Sequence, residues 1–435
     1  MSQAVAAPQT DIEFHTERAW SMPLNEFNPA QRDLFQNDVI WPYFERLRKE
    51  APVHKCFDEE FGEYWSVTSY EDIMAVDTNH HVFSSSWEHG GITLFDGPED
   101  FQLPMFIAMD PPKHDEQRKT VQPIVAPNNL KSWEPLIRER TAMVLDSLPR
   151  GETFDWVDNV SIELTTMMLA TLFDFPFEDR RKLTFWSDMV TTDANTLEGG
   201  EEEWKGHLLE CLAYFTELWN QRVNSDKPGN DLITMLTKGE STKNMDPMEY
   251  LGNIILLIVG GNDTTRNSMT GSVYALNKFP KEYDKLIANP DLIPNLSSEI
   301  IRWQTPLAHM RRTALEDFEL HGKKIKKGDK VAMWYVSGNR DRTVFENADD
   351  VIIDRPNARR QMSFGYGIHR CVGNRLGELQ IMILWEEILK RFPKIEVLAE
   401  PTRSPGCFVK GYTYMPVRIP KKHTQTDRLK SAALS

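Results

Sequence analysis

The sequence predicts a mainly helical protein with a few small β-sheets, folded as one large domain. Apolar residues recur at helical spacing from about Asn129 to Pro306, with Leu, Met, Ala and Trp at the repeating positions. Strand-like segments are fewer and shorter. The 435 residues contain no internal repeat, no Pro/Gly/Ser-rich linker and no abrupt change of charge that would divide the chain.

The folded domain is expected to span residues 26–420. Residues 1–25 are interpreted as a flexible N-terminal segment, and residues 421–435 as a polar C-terminal tail. Met1 to Phe14 lacks the apolar stretch of a signal peptide, and no segment is long and apolar enough to span a bilayer. The cysteines are widely scattered, which indicates a reducing compartment better than a disulfide framework. We therefore expect a cytoplasmic protein without a membrane anchor.

The strand predictions depend on β-branched and aromatic runs next to turn residues. One short strand is expected at Tyr64 to Val67, and another at Lys330 to Tyr335 after a Lys-Gly-Asp turn. Two more are expected near the C-terminus, around Phe408 and from Tyr414 to Ile419. The sheets are therefore expected at the periphery of a helical domain.

One cysteine lies in a glycine-rich loop directly before a helix-forming run. The loop reads Phe364-Gly365-Tyr366-Gly367-Ile368-His369-Arg370-Cys371-Val372-Gly373. A helix over Asn374 to Trp385 would direct its positive dipole end and free N–H groups toward Cys371, which favours thiolate over thiol. Thiolate ligation of haem iron favours O–O cleavage. The loop is therefore suited to present a thiolate to a haem.

Two other interpretations of Cys371 are open from the loop alone. A free cysteine is often a buried structural thiol. Zinc also binds cysteine and histidine, but His369 and Cys371 lack the paired spacing that a tetrahedral site needs. Gly365, Gly367 and Gly373 favour a backbone that approaches another group closely.

A second motif interrupts an apolar helical run. Leu251 to Val259 leads into Gly260-Gly261-Asn262-Asp263-Thr264-Thr265. Each glycine weakens a helix interior by about 1 kcal/mol relative to alanine, so the pair indicates a kink or the close approach of a ligand. Termination and capping of the helix is the alternative, although Arg266 to Met269 can continue it. The pattern predicts a distorted helix that places an acid beside a hydroxyl.

These two motifs resemble the haem-ligand loop and the central helix of the cytochromes P450. The resemblance extends from about Pro42 to Pro420. It implies the cytochrome P450 fold, a helical prism around haem b (iron protoporphyrin IX). It also implies that Cys371 is the axial iron ligand, that Thr264 organises hydrogen bonds to oxygen and water, and that Asp263 delivers protons.

Four further residues match the family's haem-propionate positions. His114 and Arg118 follow a proline stop and lie four apart on one face of a probable helix. From spacing alone an exposed His/Arg pair is the usual interpretation. The resemblance implies instead that His114, Arg118, Arg312 and His369 bind the propionates, with Arg311 as the neighbouring alternative to Arg312.

A third motif has a structural role in the family. Glu299 and Arg302 share one helical face, and Arg355 is a distant third charge in Asp-Arg-Pro. This resembles the Glu-x-x-Arg plus Arg network of the cytochromes P450, which implies a buried ion network. Taken in isolation, Glu299 and Arg302 also fit an exposed helical pair. A buried network loses much stability when one partner is removed, so mutation is expected to harm haem incorporation before chemistry.

The chain is similar to one branch of the family. Asp263 to Met269, Ile301 to Leu307 and Met105 to Pro112 resemble the soluble bacterial P450s that hydroxylate alkanes and fatty acids at the terminal methyl. The implied reaction is insertion of one oxygen atom of O2 into the terminal C–H bond of a medium-chain alkane or fatty acid (ω-hydroxylation).

An inert methyl group offers no charge or hydrogen bond for orientation, so an apolar slot is required. The resemblance implies that Val259, Gly260, Leu307 and Phe408 line this slot. Met105 to Ile107 would close it from the loop before His114. Each apolar side chain fits an ordinary core position equally well.

The resemblance implies electrons from NAD(P)H through a ferredoxin reductase and a [2Fe-2S] ferredoxin. Arg370 and Arg375, with Arg118 and Lys119, would form a basic patch that steers an acidic donor, or else an ordinary solvated surface. The net charge of −15 argues against general nucleic-acid binding.

Three other functions remain open from the sequence. The first is a P450 that hydroxylates a terpenoid or steroid. The second is a haem-thiolate peroxygenase, although fatty-acid peroxygenases of the superfamily replace the acid–alcohol pair, which is intact here as Asp263 and Thr264. The third is a non-catalytic haem sensor or carrier, which would not need that pair.

Overall fold

The computed structural model describes residues 11–192, 194–225 and 229–421, and helices predominate in this part of the chain. The helices are α1 Ile12–Ser21, α2 Arg32–Gln36, α3 Trp41–Glu50, α4 Tyr70–Asp77, α5 Lys113–Val121, α6 Pro127–Ser147, α7 Glu163–Phe173, α8 Arg181–Thr191, α9 Gly200–Val223, α10 Leu232–Lys238, α11 Pro247–Lys278, α12 Pro280–Ala288, α13 Ile293–Gln304, α14 Tyr335–Gly338 and α15 Asn374–Arg391.

The described strands are short and form small sheets. They are β1 Val53–Asp58, β2 Gly62–Val67, β3 Phe83–Ser84, β4 Thr153–Asp155, β5 Met310–Ala314, β6 Phe318–Leu320, β7 Lys323–Ile325, β8 Lys330–Met333, β9 Glu396–Val397, β10 Thr402–Arg403, β11 Tyr412–Tyr414 and β12 Pro416–Arg418. The five-stranded sheet has the order β1-β2-β8-β5-β3, in which only β2 and β8 are parallel. The mainly helical class with small sheets is confirmed.

The strand predictions are correct in part. Tyr64 to Val67 lies in β2, but β8 ends at Met333, and Tyr335 begins α14. The C-terminal stretch divides into β11 and β12, while Phe408 lies outside any strand. The sequence analysis missed β5, where two adjacent arginines obscure the strand pattern although all five residues are buried.

The folded structure begins earlier than residue 26. Helix α1 is capped by Asp11, whose carboxylate accepts hydrogen bonds from the N–H groups of Glu13 and Phe14. It packs against α3, with His15 Nδ1 at 2.9 Å from the Tyr43 hydroxyl. The prediction of a flexible segment over 1–25 is therefore wrong for residues 12–21, because their buried face was not recognised. Residues 1–10 and 422–435, most of the predicted tail, lie outside the described residues.

Helix α11 is the centre of the molecule. Asp246 caps its N-terminus, and the helix continues without a break through Gly260 and Gly261 to Lys278. It packs against α7, α8, α9, α13 and α15. The alternative of helix termination at the glycine pair is therefore wrong. No helix among the described residues is both long and apolar enough to cross a membrane.

A buried ion network joins α13 to the segment before the cysteine loop. The Glu299 carboxylate faces Arg302 Nη2 at 2.8 Å and Arg355 Nε at 3.0 Å, and all three side chains are almost fully buried. Arg302 also donates to the carbonyl oxygens of Asn339 and Ala348. The network expected from the sequence is present, and an exposed helical pair is excluded.

Replacement of Glu299 by Gln keeps the side-chain shape but leaves two buried guanidinium groups without a counter-charge. We expect a loss of about 3–5 kcal/mol in the free energy of unfolding and a lower haem content. Denaturant unfolding of Glu299→Gln and Glu134→Gln provides the measurement. Glu134 forms a half-exposed pair with Arg138 within α6, so its loss should cost less than about 1 kcal/mol. Equal losses in the two variants would contradict a buried network.

A buried histidine makes stability depend on pH. His309 Nδ1–H donates to the Cys407 carbonyl oxygen at 2.9 Å, and its Nε2 has no partner beside the ring of Trp334. Burial lowers the pKa of His309 from 6.5 to about 4, because the charged ring would lose its hydration. His309 is therefore neutral in the folded protein.

The depressed pKa of His309 contributes stability that is complete above pH 6.5 and is lost as the pH falls toward 4. We expect a loss of about 3 kcal/mol from this group by pH 4. Unfolding is to be measured from pH 7 to pH 4 for the wild type and for His309→Asn, which cannot titrate. If the two proteins lose stability in parallel, His309 does not carry this effect.

Candidate functional site: a cavity beside Cys371

A cavity of about 430 Å³ lies between α5, α11, the start of α15 and β5. Its polar lining residues include His114, Arg118, Arg312, His369 and Cys371, the five side chains that the sequence analysis assigned to haem. The structure thus brings together residues that are up to 257 positions apart in the chain, from 114 to 371. Among the four cysteines, only Cys371 belongs to the lining.

The loop before α15 shapes this part of the cavity. Gly365 and Gly367 both have φ of +67°, a conformation that favours glycine. A Cβ on Gly367 would lie 2.6 Å from the Asp77 carbonyl oxygen, so the loop also needs a residue without a side chain there. Cys371 N–H donates to the Phe364 carbonyl oxygen at 2.8 Å, which closes the loop. Gly373 is the N-cap of α15 and has a negative φ.

The Cys371 thiol is exposed toward the cavity, although it lies deep in the protein. Burial raises the pKa of the thiol, against the N–H groups of Gly373 and Asn374 and the positive charges of Arg118 and Arg370, which lower it. The N–H groups at the start of α15 thus act in the direction expected of the helix dipole, and burial opposes them. Coordination to a cation would supply the missing stabilisation.

Two buried imidazoles lie side by side in the cavity wall. The rings of His114 and His369 are 4.2 Å apart, and His114 Nδ1–H donates to Asp115 Oδ1 at 2.7 Å. His114 Nε2 and both ring nitrogens of His369 have no partner. Burial lowers the pKa of both rings, and the nearby Arg312 adds to this effect at His369. An anion beside the two rings would give their nitrogens a hydrogen-bond partner and would offset the positive charge of Arg312.

The strand β5 separates the two adjacent arginines. Arg312 lines the cavity, and its Nη2 donates to Asp77 Oδ1 at 2.8 Å. Arg311 points elsewhere and pairs with Asp96 at 2.5 Å. Because neighbouring residues of a strand face opposite sides, only one of the two can reach the cavity. The structure therefore supports the assignment of Arg312 and not the alternative Arg311.

Asp77 is a site residue that the sequence analysis missed. Its Oδ2 accepts hydrogen bonds from the Tyr335 hydroxyl and the Tyr366 N–H, both at 2.8 Å, while its Oδ1 holds Arg312. This one buried carboxylate thus fixes both a cavity arginine and the cysteine loop. No local signal marks Asp77, because its partners are about 235 to 290 positions away.

The acid and the hydroxyl of the central helix face different surroundings. Thr264 lines the cavity, and its hydroxyl donates to the Gly260 carbonyl oxygen at 2.7 Å. Asp263 does not line the cavity. Its Oδ1 pairs with Arg266 at 2.8 Å, and its Oδ2 is buried without a partner. Burial raises the pKa of Asp263 to about 6. Arg266 also pairs with the half-exposed Asp188, which connects this cluster to the surface.

Most of the remaining cavity wall is apolar. Val259, Gly260, Leu307 and Phe408, which the sequence analysis assigned to the substrate, all belong to it. Met105, Phe106 and Ile107 contribute from the loop before α5, as expected. The sequence analysis missed a long contribution from the preceding loop, which includes Trp87, Gly90, Gly91, Ile92, Thr93, Phe95 and Gly97. These residues lie in a turn-rich segment without helical or strand periodicity, so no sequence signal marked them.

The donor set of the cavity fits a haem. Cys371 offers a soft thiolate ligand for iron. Two arginines and the unpartnered ring nitrogens of two imidazoles offer partners for the carboxylates of a porphyrin. Apolar side chains surround these groups, as a macrocycle requires. No group of three His, Cys, Asp or Glu side chains suited to a metal ion occurs among the described residues. Fold and site together define a haem-thiolate protein.

Comparisons with known proteins agree with this class. The sequence profile described as Cytochrome P450 matches residues 189–405. Linalool 8-monooxygenase from Pseudomonas putida is 34% identical over 392 residues, which cover 87% of this chain and 95% of that protein. The chain belongs to the cytochrome P450 family, and it is a monooxygenase with a thiolate-ligated haem.

Two solved structures are similar over almost their whole length. Cytochrome P450-153 from Novosphingobium aromaticivorans is 48% identical with a TM-score of 0.86, covering 92% of this chain and 100% of that one. CYP153D17 from Sphingomonas sp. PAMC 26605 is 53% identical with a TM-score of 0.86, covering 90% and 98%. The P450 fold expected from the sequence is confirmed.

Two glycines of α11 provide a matched pair of substitutions. A Cβ on Gly252 would overlap the Pro104 carbonyl oxygen, whereas a Cβ on Gly260 would meet no atom within 4 Å. Gly260→Ala should therefore stabilise the helix by about 1 kcal/mol, while Gly252→Ala should destabilise the protein despite the same gain in helix propensity. Thermal unfolding of both variants measures the difference. Equal stabilisation of the two variants would contradict the close approach of the loop at Pro104 to α11.

Proposed function

We propose that the protein hydroxylates the terminal methyl group of medium-chain alkanes or fatty acids. The apolar cavity beside Cys371, whose wall joins Val259, Leu307 and Phe408 to the loop at Met105, supports a hydrocarbon substrate. The observation that carries the choice of a terminal methyl is the resemblance of Asp263 to Met269, Ile301 to Leu307 and Met105 to Pro112 to the terminal alkane and fatty-acid hydroxylases. The overall reaction converts RH, O2, two electrons and two protons to ROH and water.

The chain's residues have distinct roles in this reaction. When bound, the haem supplies the iron that activates O2 and transfers one oxygen atom to carbon. Cys371 would ligate the haem iron, and His114, Arg118, Arg312 and His369 would hold the propionates by charge-assisted hydrogen bonds. The apolar wall excludes water and orients the chain end by shape, since a methyl group offers no polar contact.

Proton supply is assigned to the central helix. The Thr264 hydroxyl hydrogen is engaged by the Gly260 carbonyl, so its oxygen remains an acceptor that can orient water in the cavity. Asp263 has a pKa of about 6 and can carry a proton near neutral pH. Arg266 pairs with both Asp263 and the half-exposed Asp188, so Asp188 can remain its counter-charge when Asp263 takes up a proton and turns toward Thr264.

Electron supply is assigned to a [2Fe-2S] ferredoxin with its NAD(P)H-dependent reductase. Lys119, Arg370 and Arg375 are exposed near the cysteine loop, and Arg118 bonds to the Arg370 carbonyl oxygen at 2.5 Å. This basic patch contrasts with the net charge of −15 and supports docking of an acidic electron donor close to the haem ligand.

A terpenoid hydroxylase is the second candidate function. The observation that favours it is the similarity to linalool 8-monooxygenase, whose name gives a terpenoid substrate. The cavity includes the space of the haem, and its apolar wall does not distinguish compact from extended hydrocarbons, so the product assay must separate the two candidates.

Product identity tests the proposed function. Purified protein with a surrogate ferredoxin, its reductase and NADPH is incubated with equal amounts of octane and dodecanoic acid, and in parallel with linalool. We expect mainly 1-octanol or 12-hydroxydodecanoic acid. Only subterminal alcohols, or faster oxidation of linalool, would replace the proposed substrate class by the second candidate.

Thr264→Ala should keep haem and substrate binding but lower the yield of product per NADPH severalfold, with the missing electrons recovered in hydrogen peroxide or water. The reason is the loss of the hydroxyl that orients water for proton delivery. Ser268→Ala is the matched control, because Ser268 also lines the cavity but its hydroxyl bonds to the Thr264 carbonyl oxygen. Unchanged coupling in Thr264→Ala would contradict the proton role.

A further inference from the structure

Two segments that carry substrate-facing side chains pair with each other in the cavity wall. Ala308 N–H donates to the Phe408 carbonyl oxygen, and Lys410 N–H donates to the Pro306 carbonyl oxygen, both at 2.8 Å. Leu307 and Val409 are bridge partners between these bonds. Leu307 and Phe408 both line the cavity and lie on these two paired segments, so a shift of one segment against the other would change the shape of the slot.

A group of buried polar side chains fastens this pairing from outside the cavity. Gln304 Nε2 donates to the Lys410 carbonyl oxygen at 2.9 Å, and Lys410 Nζ donates to the Gln304 carbonyl oxygen at 3.1 Å. The Tyr412 hydroxyl donates to Gln304 Oε1 at 2.7 Å. None of the three residues belongs to the cavity lining, and all are buried.

The central helix anchors the same group. Asn267 Oδ1 accepts from the Tyr412 N–H at 2.9 Å. A Cβ on Gly411 would lie 2.7 Å from Asn267 Nδ2, and one on Gly271 would lie 2.7 Å from Gln304 Oε1. Helix α11 therefore carries Thr264 on its cavity side and holds the Gln304–Tyr412 pair one to two turns further along.

The lysine of this group is a costly choice for a purely structural contact. Lys410 Nζ lies 5.4 Å from the Trp41 ring and 5.8 Å from the Trp303 ring, in the buried interior. A buried ammonium loses its hydration, and an apolar side chain would fill the same space at lower cost. Its Nζ forms the bond that closes the turn onto Gln304.

We propose that Gln304, Lys410 and Tyr412 are positioning residues that set which carbon of the substrate is hydroxylated. They hold the segment that carries Leu307 against the segment that carries Phe408, and through this pairing they set the depth to which a chain end enters. Which carbon is hydroxylated depends on small differences in free energy between positions of the substrate. A displacement that costs the free energy of one hydrogen bond therefore changes the product ratio measurably. This inference rests on the proposed function for the direction of the change.

The test compares Lys410→Met and Tyr412→Phe with the wild type. Lys410→Met keeps an unbranched side chain, shorter by one atom, but removes the bond to Gln304, and Tyr412→Phe removes one hydroxyl. Lys278→Met is the matched control, because Lys278 lies over the Tyr274 and Trp303 rings of the same aromatic group but holds neither segment. Haem content and the ratio of terminal to subterminal octanol are measured in each protein.

We expect Lys410→Met to lower the terminal-to-subterminal ratio by about two- to tenfold at unchanged haem content. Tyr412→Phe should change it in the same direction, and Lys278→Met should leave it unchanged. Hydrogen exchange of the Ala308 and Lys410 amides should become faster in Lys410→Met, a readout that does not depend on turnover.

A wild-type ratio in both Lys410→Met and Tyr412→Phe would overturn the inference. If Lys410→Met does not fold, Tyr412→Phe decides the outcome alone. If the wild type produces mainly subterminal alcohols, the proposed function fails. The inference then stands if the variants shift that distribution, and falls if they do not.

Discussion

The buried carboxylate of Glu299 is the constraint on which the position of the cysteine loop depends. It neutralises Arg302 and thereby allows that guanidinium to donate to the Asn339 carbonyl oxygen in the interior. The side-chain amide of Asn339 in turn donates to Ser363 Oγ at 2.9 Å, and Ser363 directly precedes the loop that carries Cys371. Removal of the Glu299 carboxylate would thus act on the haem site through a short chain of hydrogen bonds, although Glu299 itself does not line the cavity.

The cavity combines two kinds of wall with different physical roles. One part gathers two arginines and two imidazoles with unpartnered ring nitrogens, which suit the carboxylates of a haem. The rest is apolar and selects by shape. Asp77 ties Arg312 to the cysteine loop, and the Gln304–Lys410 pair ties together the two segments that carry Leu307 and Phe408. Both ties lie behind the surface that touches ligands.

The motifs with local signatures could be predicted from the sequence. The cysteine loop, the central helix and the Glu299 network depend on residue types at close spacing, and the structure brings them to the expected places. Asp77 and the long loop from Trp87 could not be predicted, because their roles arise only from contacts distant in the chain. The outward direction of Asp263 follows from helix geometry, since consecutive residues of a helix point about 100° apart.

The central claim, that Cys371 ligates the haem iron, is tested most directly by the reduced carbon monoxide spectrum of Cys371→Ser beside Cys407→Ser. Cys407 is buried in a different part of the core, and burial raises the pKa of its thiol to about 12. Our account predicts that the thiolate-type spectrum disappears in Cys371→Ser and is retained in Cys407→Ser. Retention of that spectrum in Cys371→Ser would contradict it.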